Sequence, residues 1–341
     1  MTSVNFILVE YLASVKLERG DVKYQYSPFI FSNTFSKTNV YKILSGEINT
    51  MKKDKIKVAV HGGTFHADEV FAIAILRLVY PNLEITRTMD AEVLENVDFR
   101  VDVGGKYDVK TNDFDHHQKE FKEKRDNNIL YASAGLIWKH FGRDLVNSDD
   151  AWKAIEMGII QYIDAVDVGV KTYDVKEVRP YDVADFIHGL NPVSDSKEEF
   201  DKCFEEAVSI ITKLLALEIQ KAEIKIAARE IVRGKIKESN GDYMVLENYV
   251  PWKEVVVNES DLKYVVLYNS MVDRWSAVAV PVEIGSFDNR RDFPKTWGGL
   301  TDEEFQKVSG VKDAIFCHAS LFFMAAKSRE GIIQLVELAL K

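Results

Sequence analysis

From Ile56 onward, short β-branched runs alternate with helical patterns, and this alternation limits the folds that the chain can adopt. Ile56–Val60, Glu84–Thr88 and Phe99–Val103 are typical of strands, and Asp68–Tyr80 and Ala132–Phe141 are typical of helices. Strands that alternate with helices favour a parallel sheet with helices packed on both faces. We therefore predict an α/β protein built on a doubly wound parallel sheet.

The pattern changes in the second half of the chain. From Asp195 to about Gly234, apolar residues recur at spacings of three and four, which predicts one amphipathic helix or two in series. A final helix is predicted after Ser328. Four short runs beyond the amphipathic region are predicted strands: Tyr243–Leu246, Val255–Val257, Tyr264–Tyr268 and Ser276–Val280. These elements predict a second, smaller α+β domain.

The length of 341 residues suits about two domains of roughly 150 residues each. We predict a parallel-sheet domain over residues 51–190, a helical connector over 191–240 and the smaller domain over 241–341. Residues 1–50 carry no helical period and no motif. They are either an N-terminal extension of unknown role or the product of an upstream start codon, since Met51 would open a complete domain.

The amino-acid composition limits the cellular compartment and the classes of binding partner. The two cysteines, Cys203 and Cys317, form no disulfide framework, which predicts an intracellular protein, and Cys317 is expected to be a buried apolar residue. No apolar run approaches the roughly 20 residues that span a bilayer. The net charge of −10 disfavours a protein that coats nucleic acid, but not an enzyme that grips one strand end. The sequence leaves the oligomeric state open.

Metal-ligand residue types occur where predicted strands stop. Because the carboxyl ends of parallel strands share one edge of a sheet, we expect these residues to lie together. Two further aspartates end a helical pattern. The candidates are His61, His66, Asp68, Asp102, His116, His117 and one of Asp164 or Asp167.

This set exceeds the three or four ligands that one metal ion needs. The surplus predicts two divalent ions bridged by a carboxylate, for which Asp102 is our choice. Such a pair would activate a water for hydrolysis of a phosphate ester or anhydride, with Asp102, His116 and His117 as the catalytic residues. Mixed imidazole and carboxylate ligation suits Mn²⁺, with Mg²⁺ or Zn²⁺ as alternatives.

The order of these motifs is similar to that of a known family. GTFHADE, VDVGG, DHHQ and DAVD resemble the four motifs of the DHH phosphoesterase superfamily and, more narrowly, the MYG (melanocyte proliferating gene) family of metal-dependent exonucleases. The resemblance covers about residues 56–341. Further matches lie in both halves of the chain: Ser133–Ile137, Pro251–Lys253, Val308–Gly310, Ile315–Ser320 and Arg329–Gly331.

The resemblance implies a DHH-type domain followed by a smaller substrate-binding domain. It implies 3′–5′ exonuclease activity on RNA or a short oligonucleotide, in the nucleus, mitochondrion or cytoplasm. Metal binding carries over to His66, Asp68, Asp102, His116 and the Asp164/Asp167 segment; His61 also matches, and His117 would lie behind the ligands or face the phosphate. The residues that match substrate contacts are Arg290, His318 and Arg329.

Three departures from the family pattern affect the expected substrate. Gly62 replaces an asparagine in the first motif, and Gly298 stands where an arginine commonly follows Trp297. A glycine-rich turn is replaced by Leu321–Ala325, whose bulkier side chains should hinder close approach of backbone to a phosphate. Two alternatives therefore stay open: hydrolysis of a small phosphate compound such as pyrophosphate or a dinucleotide, and a family member that binds metal without turnover.

Overall fold

The computed structural model describes residues 55–341 apart from residues 176 and 240, together with two earlier strands, β1 (Val15–Glu18) and β2 (Asp21–Tyr24), which pair antiparallel. The rest of the predicted extension over residues 1–50 lies outside the described residues. The chain forms two compact units that divide between Glu223 and Ile224. This division falls inside the predicted helical connector, and the limits of the predicted domains stay a prediction.

The first unit is built on a five-stranded sheet of order β4-β3-β5-β7-β6. Four strands run parallel, and only the edge strand β6 is antiparallel to its neighbour β7. The predicted α/β class is confirmed, and the carboxyl ends of the parallel strands share one edge. The strands are β3 (Ile56–Val60), β4 (Leu83–Arg87), β5 (Phe99–Val101), β6 (Tyr107–Asp108) and β7 (Asp113–Phe114).

Helices surround this sheet, and the first of them is its central packing element. Helix α1 is buried along almost its whole length, including both Asp68 and Glu69, because it packs between the sheet and other helices. A π-helical segment, Glu156–Ile160, connects two of the helices without a break. The helices are α1 (Ala67–Val79), α2 (Ala91–Leu94), α3 (Ser133–Phe141), α4 (Asp149–Ile155), α5 (Gln161–Asp167) and α6 (Val183–His188).

The predicted amphipathic stretch is one helix, α7 (Lys197–Glu238), of 42 residues. Its early apolar residues, such as Phe204 and Ile211, belong to the core of the first unit. Ala228 and Val232, near its end, belong to a core of the second unit. In the part of the chain that the structure describes, no helix has both the length and the apolar character needed to cross a membrane.

The second unit has its own five-stranded sheet, of order β11-β12-β10-β9-β8. Only β8 and β9 are parallel, and the other neighbours pair antiparallel. The strands are β8 (Tyr243–Leu246), β9 (Tyr264–Asn269), β10 (Arg274–Ala279), β11 (Ala314–Cys317) and β12 (Phe323–Ala326). The helices are α8 (Lys253–Glu259), α9 (Asp302–Ser309) and α10 (Arg329–Leu340).

The prediction of a strand at Val255–Val257 was wrong, because these residues lie in helix α8. Topology explains the difference. Since β8 and β9 are parallel, the chain must cross over between them, and a helix is the usual crossover. All three valines are buried, so packing outweighs their β-propensity.

We predict that Gly135→Ala destabilises the first unit. Gly135 lies in α3, and a Cβ atom there would collide with the carboxylate of Asp164. Overpacking of this kind costs about 1–3 kcal/mol, which thermal unfolding would detect. Gly158→Ala is the matched control, because no atom lies within 4 Å of the added Cβ. Equal melting temperatures of the two variants would contradict the prediction.

Candidate metal centre

The predicted ligand residues gather at the carboxyl edge of the first sheet. His61 follows β3, Asp102 follows β5, and the Asp115–His117 triplet follows β7. These three strands are neighbours, since β3 pairs with β5 and β5 with β7. The sheet topology therefore brings together segments that lie far apart in the sequence.

The loop between β3 and α1 is held in place from two sides. Arg87 Nη2 donates a hydrogen bond of 2.6 Å to the carbonyl of Gly63. The Asn191 side chain accepts from the Phe65 N–H and donates to the Phe65 carbonyl, both at 2.9 Å. Arg87 is 3% exposed, so this anchor is part of the core. The loop presents His61 and His66 with fixed backbone geometry.

One group of potential ligands comprises His61, His66 and Glu69. The His61 Nε2 atom lies 2.9 Å from Glu69 Oε1, which also accepts a 2.8 Å hydrogen bond from the His66 N–H. One ligand atom from each of the three residues lies within 4.8 Å of the other two. Two imidazoles and a carboxylate at this separation could hold a metal ion.

A second group comprises Asp68, His116 and Asp167. The His116 Nε2 atom lies 3.7 Å from Asp68 Oδ2 and 3.2 Å from Asp167 Oδ2. These side chains come from the start of α1, the loop after β7 and the end of α5. Their ligand atoms also lie within 4.8 Å of one another.

Asp102 lies between the two groups. Its Oδ2 atom is 3.4 Å from His61 Nε2, and its Oδ1 atom is 3.4 Å from His116 Nε2. Ser133 Oγ donates a 3.0 Å hydrogen bond to Oδ1 and fixes the carboxylate. The backbone of Asp102 has φ +55°, a left-handed conformation that is uncommon for residues other than glycine. This sharp turn points the side chain of Asp102 at both groups.

Buried atoms without partners show that the donor set fits a cation. Both carboxylate oxygens of Asp68, Glu69 Oε2 and His116 Nε2 are buried and make no hydrogen bond to the described residues. Buried polar atoms normally find a partner, and buried carboxylates require a positive one. A divalent cation would satisfy these atoms together, so the His/Asp clusters could bind a metal.

The pKa values of the cluster residues reflect burial and the repulsion among their negative charges. Burial and the neighbouring charge of Asp102 raise the pKa of Asp68 well above its usual range. Burial disfavours the charged form of His61. The hydrogen bond to Glu69 and the negative charge of Glu69 outweigh this effect and raise the pKa of His61 to about 9. Burial would also raise the pKa of Asp102, yet its interactions with His116 lower it overall. In the absence of metal, protons take the place of a cation.

Within the triplet, Asp115 and His117 have roles different from that of His116. Asp115 Oδ2 accepts a 2.6 Å hydrogen bond from the Gly105 N–H, and Oδ1 accepts from the His117 N–H at 3.0 Å. Asp115 therefore ties two loops together. The His117 side chain is 61% exposed, and its Nδ1 atom lies 2.8 Å from Asp115 Oδ1 and 3.5 Å from Asp102 Oδ1. His117 thus lies at the solvent edge of the cluster.

Of the two aspartates on α5, the structure brings only Asp167 to the cluster. Asp164 is fully buried, and both its oxygens are engaged by protein donors. Oδ1 accepts from the Gly135 N–H at 2.9 Å, and Oδ2 accepts from Arg125 Nη2 at 2.8 Å. The contacts of Asp164 support a structural role in place of the predicted ligand role.

Sequence reasoning missed Glu69 as a potential ligand. Neighbouring residues on a helix point about 100° apart, so Asp68 and Glu69 do not suggest a common site. Because the first turn of α1 is buried on all sides, both carboxylates nevertheless reach the cluster. The signal in the sequence was the Asp-Glu pair itself, since two adjacent carboxylates are rarely buried without a cation.

The three predicted substrate contacts in the second unit differ in how far their side chains are already engaged by other protein groups. Arg290 donates to the carbonyls of Ser260, Leu262 and Val257, so its guanidinium group holds the end of α8. Arg329 pairs with Glu247 at 3.1 Å. His318 is exposed. Of the three, His318 has the side chain best placed to meet a ligand.

Cys317, next to His318, is buried as predicted. Burial raises the pKa of its thiol to about 12. A thiol that stays protonated is a poor nucleophile, so Cys317 packs as an apolar residue.

The fold and the cluster together define a class: an α/β protein with a histidine- and aspartate-rich centre that could hold metal at the carboxyl edge of a parallel sheet. Residues 57–340 match the MYG1 exonuclease family model, described as "Uncharacterised protein family (UPF0160)". The chain therefore belongs to the MYG1 family, as the motifs predicted.

Individual relatives match along most of their length. The MYG1 protein of Schizosaccharomyces pombe is 28% identical over 322 residues, covering 84% of this chain and 97% of that protein. The MYG1 protein of Dictyostelium discoideum is 30% identical over 312 residues, covering 82% and 94%. The MYG1 exonuclease of Homo sapiens is 30% identical over 321 residues, covering 83% and 85%.

We predict that Asp68→Asn stabilises the metal-free protein while weakening metal binding. At pH 8 in EDTA, a neutral amide in place of the Asp68 carboxyl should raise the free energy of unfolding by roughly 1 kcal/mol or more, since a carboxyl whose pKa is raised on folding costs stability as the pH rises above its unfolded pKa. Asp195→Asn, at an exposed position, is the matched control. A lower melting temperature for Asp68→Asn than for the control would refute the idea that the cluster is electrostatically strained.

We also predict that metal binding releases protons and strengthens with pH. The pKa of His61 is raised to about 9, so the free centre holds a proton at neutral pH that a cation must displace, and the raised pKa of Asp68 adds to this tendency. Affinity should therefore rise with pH up to about 9, because below that pH the metal-free centre still holds the His61 proton that the cation must displace. Calorimetry of Mn²⁺ binding in buffers of different ionisation enthalpy measures the released protons. His61→Asn should release fewer protons, and an unchanged number would contradict the assignment.

Proposed function

We propose that this protein is a metal-dependent phosphodiester hydrolase, and specifically a 3′–5′ RNA exonuclease that uses two metal ions. The observation that carries the proposal is the position of Asp102, with one oxygen directed to each of two potential ligand groups. Membership of a family that includes proteins named MYG1 exonuclease supports a nucleic-acid substrate.

The two groups would hold one ion each. His61, His66 and Glu69 would hold the first, Asp68, His116 and Asp167 the second, and Asp102 would contribute to both. Bound divalent cations supply a nucleophilic water at neutral pH and neutralise charge on the phosphate that is attacked. Mn²⁺ suits this mixture of imidazole and carboxylate ligands.

The protein's own groups orient the reaction around these ligands. Ser133 Oγ donates to Asp102 Oδ1 and fixes the shared carboxylate. His117 is exposed, and its Nδ1 atom is directed at Asp115. This arrangement leaves His117 Nε2 available to donate a hydrogen bond to a phosphate oxygen or to the leaving group.

We predict that purified protein with Mn²⁺ shortens single-stranded RNA from its 3′ end. RNA labelled at the 5′ end should give a ladder of progressively shorter products, and RNA labelled at the 3′ end should release labelled mononucleotide at once. Asp102→Asn should reduce the rate by about 1000-fold or more, because it weakens both ion positions. Asp195→Asn should cleave at the wild-type rate. Activity that survives Asp102→Asn would refute the mechanism.

A second candidate is hydrolysis of a small phosphate compound. It is favoured by the engagement of Arg290 and Arg329 with protein groups, which leaves fewer cationic side chains to grip RNA. The same assay run on RNA, a dinucleotide and pyrophosphate separates the two candidates. Metal binding without turnover of any of the three would instead identify a non-catalytic family member.

A further inference from the structure

A buried ion cluster adjoins the metal centre in the first unit. Arg125 donates from Nε to Glu156 Oε1 and from Nη2 to Asp164 Oδ2, the latter at 2.8 Å. The Arg125 side chain is 7% exposed and lies 4.1 Å over the ring of Tyr131. The two carboxylate side chains are 9% and 0% exposed. One guanidinium group thus bridges two buried carboxylates.

The π-helical segment explains how both carboxylates reach one arginine. Glu156 and Asp164 are eight residues apart, so in a continuous α-helix their side chains would point about 80° apart. The Gln161 N–H donates to the Glu156 carbonyl, five residues earlier, which is the wider π turn. The extra residue in this turn brings Glu156 and Asp164 onto one face. The π turn therefore sets the rotation of α5.

This rotation determines where Asp167 points. Asp167 lies three residues after Asp164, and its Oδ2 atom is 3.2 Å from His116 Nε2. Asp164 fixes α5 to Arg125 on one side and to the Gly135 N–H on the other. The start of α3 also holds Asp102, through Ser133. The same support therefore positions a carboxylate of one ligand group and the shared carboxylate.

We propose that Arg125 is a positioning residue for the metal centre: by bridging Glu156 and Asp164 across the π turn, it holds Asp167 at the second ion position. The inference rests on the proposed function in that the centre binds metal. Arg125 lies outside both ligand groups, so its effect on metal binding passes through the carboxylates that it holds, and chiefly through Asp164 and α5. Loss of a residue that supports a metal ligand typically weakens metal affinity by about 10–100-fold.

The experiment measures Mn²⁺ affinity of the full chain by calorimetry, with free Mn²⁺ followed by electron paramagnetic resonance. Arg125→Met should bind one of the two ions about 10–100-fold less tightly while keeping the far-ultraviolet circular dichroism of the wild type. Arg143→Met is the matched control, because Arg143 is an exposed arginine that pairs with Asp149 and lies 4.9 Å over Trp152. The control should bind Mn²⁺ as the wild type does.

A double-mutant cycle tests whether Arg125 acts on metal binding through Asp164. If Arg125 acts through Asp164, the losses of affinity in Arg125→Met and Asp164→Asn will not add in the combined variant. Additive losses would overturn the proposal, as would wild-type affinity in a folded Arg125→Met. Arg125→Lys keeps the charge, but its single ammonium cannot form the planar fork that bridges two carboxylates, so its affinity should be intermediate.

Three remaining outcomes also decide the question. An Arg125→Met chain that fails to fold, together with wild-type Mn²⁺ affinity in Arg125→Lys, would assign Arg125 to folding alone and overturn the proposal. Wild-type protein that binds Mn²⁺ but cleaves no RNA would refute the RNA exonuclease assignment and leave the positioning result intact. Wild-type protein that binds no Mn²⁺ would overturn both.

Discussion

Buried negative charge is the constraint on which the rest of the first unit depends. Asp68, Glu69 and Asp102 are each at most 4% exposed and lie close together, so folding removes three carboxylates from water at one place. Mutual repulsion and desolvation oppose this arrangement, and too few hydrogen-bond donors reach the cluster to offset them. The surrounding scaffold must therefore be rigid enough to hold the carboxylates in position. Its anchors are Arg87 on the first loop, Ser133 on Asp102 and Arg125 behind α5.

The sequence predicted most of the candidate site, because the rule that locates it is topological. Residues that follow parallel strands must meet at one sheet edge, whichever loops intervene. That rule placed His61, Asp102 and His116 together, and the structure agrees. It fails for residues on helices, where the direction of a side chain depends on rotation about the axis. The choice between Asp164 and Asp167 depended on a π turn that no spacing rule reveals. Glu69 was missed because the direction of its side chain also depends on rotation about a helix axis.

The fold was predictable where the local sequence pattern and the tertiary environment favour the same secondary structure. Three strands of the first sheet were predicted, and the predicted amphipathic stretch is the single helix α7, whose early apolar residues such as Phe204 and Ile211 are buried. The second unit was less predictable because long-range pairing, more than local pattern, decides its elements. Strands β11 and β12 and helix α9 were not anticipated, and the valines at 255–257 form a helix because the parallel pairing of β8 and β9 requires a crossover. Long-range pairing decided these elements, and a local pattern does not contain it.

Gly298 and Leu321, two positions at which the sequence was expected to depart from the family pattern, lie side by side next to the hairpin that joins β11 and β12. Leu321 has φ +58°, so a leucine holds the left-handed conformation that glycine adopts without strain. A Cβ atom added at Gly298 would lie 2.9 Å from Leu321 Cδ2 and 3.3 Å from the Ala319 carbonyl oxygen. Gly298 therefore leaves the space that the Leu321 side chain occupies, and a larger residue at position 298 would require the Leu321 side chain and the Ala319 carbonyl to shift. The hairpin thus makes a tight turn at Leu321, and the side chain of this leucine packs beside Gly298. Because His318 lies at the start of this hairpin and contacts Phe322, the side chains of the hairpin shape the surface beside the most available of the predicted substrate contacts.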